Sequence, residues 1–314
     1  MPGYRPQRAE DLGVLLPALP VDRSFDPRYG EAEQLSPLIR RVLAPNPSPF
    51  TFHGTGTYLV GRGEVAVIDP GPAQPAHLAA LERALAGERV THIVVTHTHS
   101  DHSPAAAPLR AATGAPCCAY APHGAGKREA GIAVEEGGDM DFVPDVVLRD
   151  GDTLAGEGWT LEALYTPGHT SNHLCFALRE EAALFSGDHV MGWSTTVIVP
   201  PDGDMAQYLA SLERLRRRAE RRYYPTHGNP ITDPVTFLAR LIEHRHARER
   251  QLLACLERGL TTIAEMVPVV YSAVDARLHP AAAMSVLAHL EHLVATDRAR
   301  CDGPPRLHGV YALR

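Results

Sequence analysis

Lysine is nearly absent from this chain of 314 residues. Lys127 is the only lysine, and the rest of the 30 basic residues are arginine, which we interpret as coding bias. An excess of positive charge is also lacking, because the formal net charge is −7. This balance argues against broad binding to nucleic acids or to anionic membranes.

Long apolar runs are missing as well. No run approaches the roughly 18 residues that a membrane-spanning helix needs. The first twenty residues, MPGYRPQRAEDLGVLLPALP, lack the apolar core of about 7–15 residues that is typical of a secretory signal peptide. We therefore expect a cytoplasmic protein without membrane contact.

Cysteine is sparse and unpatterned. The five cysteines are an odd number, and their spacing matches neither a zinc knuckle nor a disulfide framework. They are Cys117, Cys118, Cys175, Cys255 and Cys301. Free thiols in a reducing compartment are the expected state.

The middle of the chain has the pattern of an α/β domain. Residues 1–35 are rich in proline and charge and predict an irregular leader, and residues 36–233 predict the domain itself. Strands are predicted at TYLVG, EVAVIDPG, THIVVTH, PCCAY, TLEALYTPG, LCFAL, AALFSG and YYPTHG. Helices are predicted at PAHLAALERALAG, at PAAAPLRAATG with Ser103 as its N-cap and Pro104 as its first residue, and at DMAQYLASLERLRRRAE.

The composition shifts at Pro234. Helices are predicted from about Val235 to Arg258, from Thr262, and from Pro280 to Asp297, before two short strands around a Gly-Pro turn. This order predicts a small, mostly helical domain of winged-helix type over residues 234–314. A helical cap on the first domain is the alternative.

Ligand-type side chains crowd the segment VVTHTHSDHSPAAAPL, residues 94–109. It follows the apolar HIVV, which predicts a buried strand. His97 and His99 are two residues apart, so they point the same way in extended backbone. Asp101 and His102 follow where the chain turns. Imidazole and carboxylate together suit zinc, iron or manganese, which favours a metal site over a surface histidine tract.

Four more ligand-type residues each follow a predicted strand in a loop that contains glycine or proline. Asp69 ends VAVIDPG, His169 lies in YTPGHTSNH, Asp188 in LFSGDH and His227 in YYPTHG. Loops of this kind are where a scaffold presents functional groups. Singly each residue is ordinary; together and in this order they indicate one site.

The ordered set resembles the five-motif pattern of the metallo-β-lactamase superfamily over roughly residues 45–230. The segments NPSPFTFHGTGTYLVG, TPGHTSNHLCF and GDHVMGWSTTVI, with the helical tail, resemble its lactamase-beta-2-like group, which carries a C-terminal winged helix. The resemblance implies an αββα sandwich with the metals at one edge of two facing sheets.

The resemblance also implies two divalent metal ions per chain, zinc in the first place, with iron or manganese as alternatives. His97, His99 and His169 would hold one ion, Asp101, His102 and His227 the other, with Asp188 between them. Asp69 would orient ligands through hydrogen bonds.

Such a centre implies hydrolysis. Two metals about 3.5–4 Å apart hold a bridging water and lower its pKa to about 7, which makes hydroxide at neutral pH. Asp101 is the expected catalytic residue, which orients the nucleophile and passes a proton to the leaving group. Part of the substrate pocket is expected in GWSTTVIVPP, residues 192–201. The pocket candidates are His173 and His189, for oxyanion contact, and Trp193, Thr195 and Thr196.

Several substrate classes remain open. Many true metallo-β-lactamases carry Cys or Ser where this chain has Asp188, so β-lactam hydrolysis is expected to be weak at most. The resembled group includes single-strand RNA endonucleases and, in related pathways, thioesterases for carrier-bound acyl chains. Residues 235–314 contain ten Arg and eight Asp or Glu, a weak footprint for nucleic acid. We therefore favour a small-molecule or acyl ester, thioester or lactone over RNA.

Two further alternatives are a glyoxalase II-like thioesterase and a protein-docking or dimerisation module. The basic glutathione contacts of glyoxalase II have no counterpart that we can place in this sequence. A purely structural site is disfavoured, because structural zinc has four ligands in a closed shell. A homodimer is compatible with either alternative.

Overall fold

Two facing β-sheets form the centre of the protein. The structure is a computed structural model that describes residues 9–126 and 137–314. The first sheet has the order β1 to β7: β1 (Ala32–Gln34), β2 (Ile39–Leu43), β3 (Gly56–Arg62), β4 (Glu64–Ile68), β5 (Arg89–Val94), β6 (Cys117–Ala119) and β7 (Val146–Val147). The second has the order β12-β11-β10-β9-β8: β8 (Thr153–Gly156), β9 (Trp159–Tyr165), β10 (Leu174–Leu178), β11 (Ala183–Gly187) and β12 (Arg222–Pro225).

Helices cover both outer faces. The first sheet carries α1 (Pro75–Ala84) and α2 (Ala106–Thr113), and the second carries α3 (Met205–Arg216) and the start of α4 (Pro234–Glu257). Short 3₁₀ helices lie at Ala9–Leu12, His123–Gly126, Arg179–Glu181 and Ala276–Leu278. The predicted αββα sandwich is confirmed.

Alternation along the strands produces these layers. In β3, Tyr58 and Val60 point into the core between the sheets, whereas Leu59 packs with the residues of α1 and α2. In β10, Phe176 lies between the sheets and Cys175 faces α3. Successive strand residues point to opposite faces, so both of these strands contribute apolar side chains to two cores.

Strand β2 was not predicted. Its sequence IRRVL is buried throughout, although two of its five residues are arginines. Arg40 is 2.6 Å from Glu88, and Arg41 is 2.6 Å from Glu33 and donates to the carbonyl of Gly228 at 3.1 Å. Partners outside the strand thus bind both guanidiniums, and the residue pattern alone cannot reveal them.

The start of α2 differs from the prediction. Ser103 does not cap the helix: its hydroxyl donates to Asp139 at 2.7 Å. The residue before the helix is Ala105, whose backbone N–H donates to Gly71 instead. The chain from His99 onward is held in turns, so the helix begins at Ala106, two residues later than predicted.

The tail has the predicted outline of helices followed by a strand pair. It contains α5 (Ile263–Val270), α6 (His279–Ala295), β13 (Ala299–Cys301) and β14 (Tyr311–Leu313), and the two strands are antiparallel. A reciprocal capping box between Thr262 and Glu265 begins α5.

Helix α4 joins the tail to the sandwich. Its first half contributes Phe237 and Leu241 to the core under the second sheet, and its second half contributes Leu252 and Leu256 to the core of the tail. The predicted boundary at residue 233 therefore falls before a helix that belongs to both cores. The domain limits stay a prediction.

The leader is partly packed. Leu12 lies in the tail core, and the end of the predicted leader forms β1 against β2. Across residues 9–126 and 137–314, no helix combines the length and apolar character needed to cross a membrane. All five cysteines are free thiols, and all but Cys301 are buried.

The buried carboxylate of Glu249 on α4 connects three elements of the tail. It accepts hydrogen bonds from His292 on α6 and from Arg298 beside β13, both at 2.6 Å. Burial alone would raise its pKa, but hydrogen bonds from neighbouring histidines hold the pKa of Glu249 well below its usual range. The group therefore stays ionised inside the tail.

We expect Glu249→Ala to lower the free energy of unfolding by about 2–3 kcal/mol, because it leaves buried donors unpaired. The loss stays below that of a fully buried pair because Arg298 is 39% exposed. Chemical denaturation measures it. Glu243→Ala on the same helix removes an exposed ion pair with Arg250 and should cost less than about 0.5 kcal/mol. Equal losses in the two variants would contradict the role of Glu249.

Candidate metal centre

Five strands bring the predicted ligands to one edge of the sandwich. Strands β4 and β5 are parallel, and β9, β11 and β12 also share one direction. Each ligand-bearing loop follows the carboxyl end of one of these strands, so the loops meet. They carry Asp69 after β4, His97, His99, Asp101 and His102 after β5, His169 after β9, Asp188 after β11 and His227 after β12.

Three histidines form one group. Nδ1 of His99 lies 3.0 Å from Nε2 of His97 and 3.2 Å from Nε2 of His169. All three side chains are buried. This spacing suits three ligands of a single metal ion, the set that the sequence resemblance implies.

A second group lies beside the first. Nε2 of His102 and Nε2 of His227 are each 3.3 Å from Oδ2 of Asp101. These three side chains are also buried and their ligand atoms lie within 4.8 Å of one another. They can hold a second ion.

Asp188 lies between the two groups. Its Oδ1 is 3.6 Å from Nε2 of His102, and its Oδ2 is 3.3 Å from Nε2 of His227 and 4.0 Å from Nε2 of His169. One carboxylate thus faces ligand atoms of both groups, as a bridging ligand must.

The donor set fits divalent metal ions. Within the described part of the chain, Nε2 of His102 and Oδ1 of Asp188 are buried without a hydrogen bond. The opposite ring nitrogens of His169 and His227 donate to the carbonyls of Val197 at 2.8 Å and Gly54 at 3.0 Å. Those bonds set the tautomers and turn the remaining nitrogens toward the cluster.

Asp69 organises the loops behind the ligands. It is 1% exposed, and its Oδ2 accepts from Nδ1 of His102 at 2.9 Å and from the Thr226 hydroxyl at 3.1 Å. The backbone N–H and hydroxyl of Thr96 donate to the same carboxylate at 2.7 and 2.8 Å. Oγ1 of Thr96 lies 3.0 Å from Nδ1 of His97, so Asp69 supports both groups of ligands.

Burial and neighbouring charges set the protonation of the candidate ligands. Burial lowers the pKa of His97 and His99 well below the usual range, so both are neutral. Burial opposes protonation of His227 too, but Asp188 and Asp101 raise its pKa to about 10. Burial would raise the pKa of Asp188, but His227 and His102 hold it well below its usual range, so this carboxylate is ionised. Metal binding at this group would therefore release a proton.

The ligand cluster opens to solvent through two connected cavities. The inner one, of about 50 Å³, is lined by His99, Asp101, His169, Asp188 and His227 together with Thr51 and Met191. The outer one, of about 430 Å³, lies between the sandwich, the leader and helices α4 and α6. Both share the walls formed by Pro49, Phe50, Trp193, Ser194, Thr195 and Val197.

Comparison with known families agrees with this geometry. A sequence profile described as the metallo-beta-lactamase superfamily matches residues 51–227, more than half of the chain. The chain belongs to the metallo-β-lactamase superfamily. A second profile, the beta-lactamase associated winged helix domain, matches residues 262–304 and confirms the predicted nature of the tail. The protein is thus a hydrolase of this superfamily with an appended winged helix.

Relatives and solved structures support the assignment. A lactamase-like protein of Aspergillus niger is 34% identical over 239 residues, which cover 74% of this chain and 68% of that protein. A protein of Aspergillus chevalieri named atrochrysone carboxyl ACP thioesterase is 32% identical over 276 residues, 84% of this chain and 80% of that one. The crystal structure of a metallo-beta-lactamase family protein from Thermus thermophilus has a TM-score of 0.70 at 26% identity and covers 90% of this chain and 100% of that one.

Three threonines that contact the ligand cluster were not predicted from the sequence. Thr96 and Thr226 each precede a ligand histidine directly, which is the signal that would have found them. Thr55 donates its hydroxyl to Oδ2 of Asp101 at 2.8 Å. It lies 46 residues from that partner, so no local pattern connects the two.

The predicted pocket residues divide into two kinds. Trp193 and Thr195 line the inner cavity, and the ring of Trp193 stacks on Phe52 with centroids 4.8 Å apart. Thr196 lines only the outer cavity, and its hydroxyl donates to the carbonyl of Asp188 at 2.7 Å. Its side chain therefore stabilises the loop after β11.

The two histidines proposed for oxyanion contact lie in the core. Among the described residues that line the two cavities, neither His173 nor His189 appears. Both are 0% exposed; His173 stands beside the Thr166 hydroxyl and His189 against the ring of Tyr208. Burial lowers the pKa of His189 to about 3, so it is a neutral core residue.

We expect Asp69→Ala to reduce metal affinity by about 10–100-fold, because the supporting hydrogen bonds to His102 and Thr96 are lost. Metal-loaded wild-type protein should contain about two equivalents by elemental analysis, and the variant fewer after dialysis against a chelator. Asp150→Ala, which removes an exposed carboxylate paired with Arg214, serves as the matched control. Unchanged metal retention in Asp69→Ala would refute the supporting role.

Proposed function

We propose that this hydrolase cleaves an acyl ester or thioester bond, in a small molecule or a carrier-bound acyl chain, with two divalent metal ions. Zinc is the proposed metal, and iron and manganese suit the same ligands. The proposed ligands are His97, His99 and His169 for one ion and Asp101, His102 and His227 for the other, with Asp188 bridging.

The outer cavity is the observation that carries this proposal. Its volume of about 430 Å³ is within the range of about 300–1,000 Å³ that is usual for small-molecule sites. Leu16 and Leu19 of the leader, Tyr271 after α5 and Ala282 of α6 supply apolar walls. Because the outer cavity is limited in volume, partly apolar and next to the ligands, it fits an acyl group better than an extended polynucleotide.

One relative supports the same chemistry. The Aspergillus chevalieri protein is named as a thioesterase acting on a carboxyl ACP, and its similarity extends over 84% of this chain. That span includes more than the superfamily core at residues 51–227. An acyl thioester is therefore the first substrate class to test.

Asp101 is the proposed proton carrier. Bound divalent ions supply Lewis acidity and generate a nucleophile from water at neutral pH. The Thr55 hydroxyl holds Oδ2 of Asp101, and the carboxylate lines the inner cavity. From this position it accepts a proton from the attacking water and delivers it to the leaving sulfur or oxygen. Trp193 and Thr195 border the same space.

Metal-loaded protein should hydrolyse thioesters or activated esters in a panel that also contains a lactone, a β-lactam and single-stranded RNA. Asp101→Asn should abolish turnover while circular dichroism stays unchanged, and metal content is measured in parallel. Asp150→Asn is the control. Turnover of a small thioester should change little between low and moderate salt, because few counterions are released.

RNA cleavage is the competing result. Catalytic cleavage of single-stranded RNA that depends on metal and is lost in Asp101→Asn would overturn the proposal. In that case binding should weaken with salt with a log–log slope of about −0.7 per phosphate contact.

A further inference from the structure

The wall of the outer cavity is positively charged, although the whole chain carries −7. Among the described residues that line it are Arg23, Arg245 and Arg248, and none is Asp or Glu. His244 also lines it, but burial and the two neighbouring arginines of α4 lower the pKa of His244 to about 3. The charge of the wall therefore comes from guanidinium groups.

Arg245 is buried and has no acidic partner among the described residues. It is 3% exposed, donates to the backbone carbonyl of Thr196 and lies over the ring of Tyr208. Its Nε makes no hydrogen bond within the described part of the chain. A buried charge without a counter-ion is costly, and guanidinium cannot deprotonate to avoid the cost.

Arg248, one helical turn later, is in the same situation. It is 5% exposed, donates to Gln251 at 2.7 Å and to the carbonyl of Val270 at 2.5 Å, and lies over the ring of Tyr271. Its Nε is also without a hydrogen bond among the described residues, and no described carboxylate lies within ion-pair distance. All its partners are neutral, so its charge is uncompensated.

We propose that Arg245 and Arg248 form a recognition site for an anionic group of the substrate, a carboxylate or a phosphate, while the scissile acyl bond reaches the inner cavity. Guanidinium binds both groups through paired hydrogen bonds. The inference deepens the proposed function and rests on it: the substrate is an anionic acyl ester or thioester.

The anion site is coupled to the ligand cluster through one loop. Thr196 accepts from Arg245 through its carbonyl and donates its hydroxyl to the carbonyl of Asp188. Thr195 and Val197, on either side, line both cavities. A substrate held by Arg245 is thus positioned by the same segment that carries the bridging carboxylate.

Burial of the pair distinguishes this site from an RNA surface. Proteins that bind single strands use an open, positively charged groove that follows the backbone. Here the two guanidiniums are 3% and 5% exposed inside a cavity of limited volume. They suit one terminal anion of a small substrate.

The test compares matched thioesters on metal-loaded protein. Pentanoyl-N-acetylcysteamine is neutral; glutaryl-N-acetylcysteamine adds an acyl carboxylate, and pentanoyl-coenzyme A adds phosphates on the leaving group. We expect the wild-type protein to have a higher kcat/KM for at least one of the two anionic thioesters than for the neutral one. The preferred thioester shows whether the anion lies on the acyl group or on the leaving group. Arg245→Met and Arg248→Met should lower kcat/KM for that substrate by about 10–100-fold more than for the neutral thioester.

Arg250→Met is the matched control, because Arg250 lies on the same helix in an exposed ion pair with Glu243. Arg245→Lys should restore part of the anion preference, which a packing role would not explain. Melting temperature and metal content show whether each variant is folded and loaded.

A binding measurement tests the anion site independently of the proposed hydrolysis. Calorimetry with glutarate and pentanoate, which differ by one carboxylate, reports the anion site even if no thioester is turned over. Tighter binding of glutarate or of inorganic phosphate that is lost in Arg245→Met supports the site. Equal losses of kcat/KM for neutral and anionic thioesters in the arginine variants would overturn the anion site. So would a result in which RNA cleavage, but no thioester hydrolysis, depends on the two arginines.

Discussion

The site depends on one buried carboxylate. Asp69 receives hydrogen bonds from groups that follow β5 and β12, namely Thr96, His102 and Thr226. The two loops follow strands of different sheets, and Thr226 is 157 residues from Asp69 in the sequence. A carboxylate with several donors in a low-dielectric interior is strongly directional, because each unmade bond would leave a buried charge unsatisfied. Asp69 thus holds His102 directly and His97 through Thr96.

The sandwich supplies the rigidity that this arrangement needs. Its alternating strands produce three apolar layers, and the carboxyl ends of five strands meet at one edge. The strands therefore fix the positions of the ligand-bearing loops that follow them. The tail and the leader border the outer cavity at the same edge, so the fold places the ligand cluster and the outer cavity side by side.

Helix α4 joins these parts. One stretch of it packs under the second sheet, another builds the tail, and Arg245 and Arg248 between them face the cavity. Glu249, next to Arg248, points away into the tail and is paired there. Acidic and basic side chains of α4 thus lie on different faces of the helix. The cavity wall is therefore positively charged although the whole protein is acidic.

The α/β pattern and the ligand-type residues could be predicted from local signals, namely short apolar strands, HTHSDH directly after a strand, and further His and Asp residues in loops after strands. The αββα arrangement and the division of the ligands between two ions came from the family resemblance. Other features depend on contacts between distant parts of the chain. Strand β2 needs remote partners for Arg40 and Arg41, Thr55 reaches Asp101 across 46 residues, and His173 and His189 are core residues although their motifs suggested a pocket. The charge of the cavity also required the structure, because a sequence states how many acids and bases exist but not which of them face the same space.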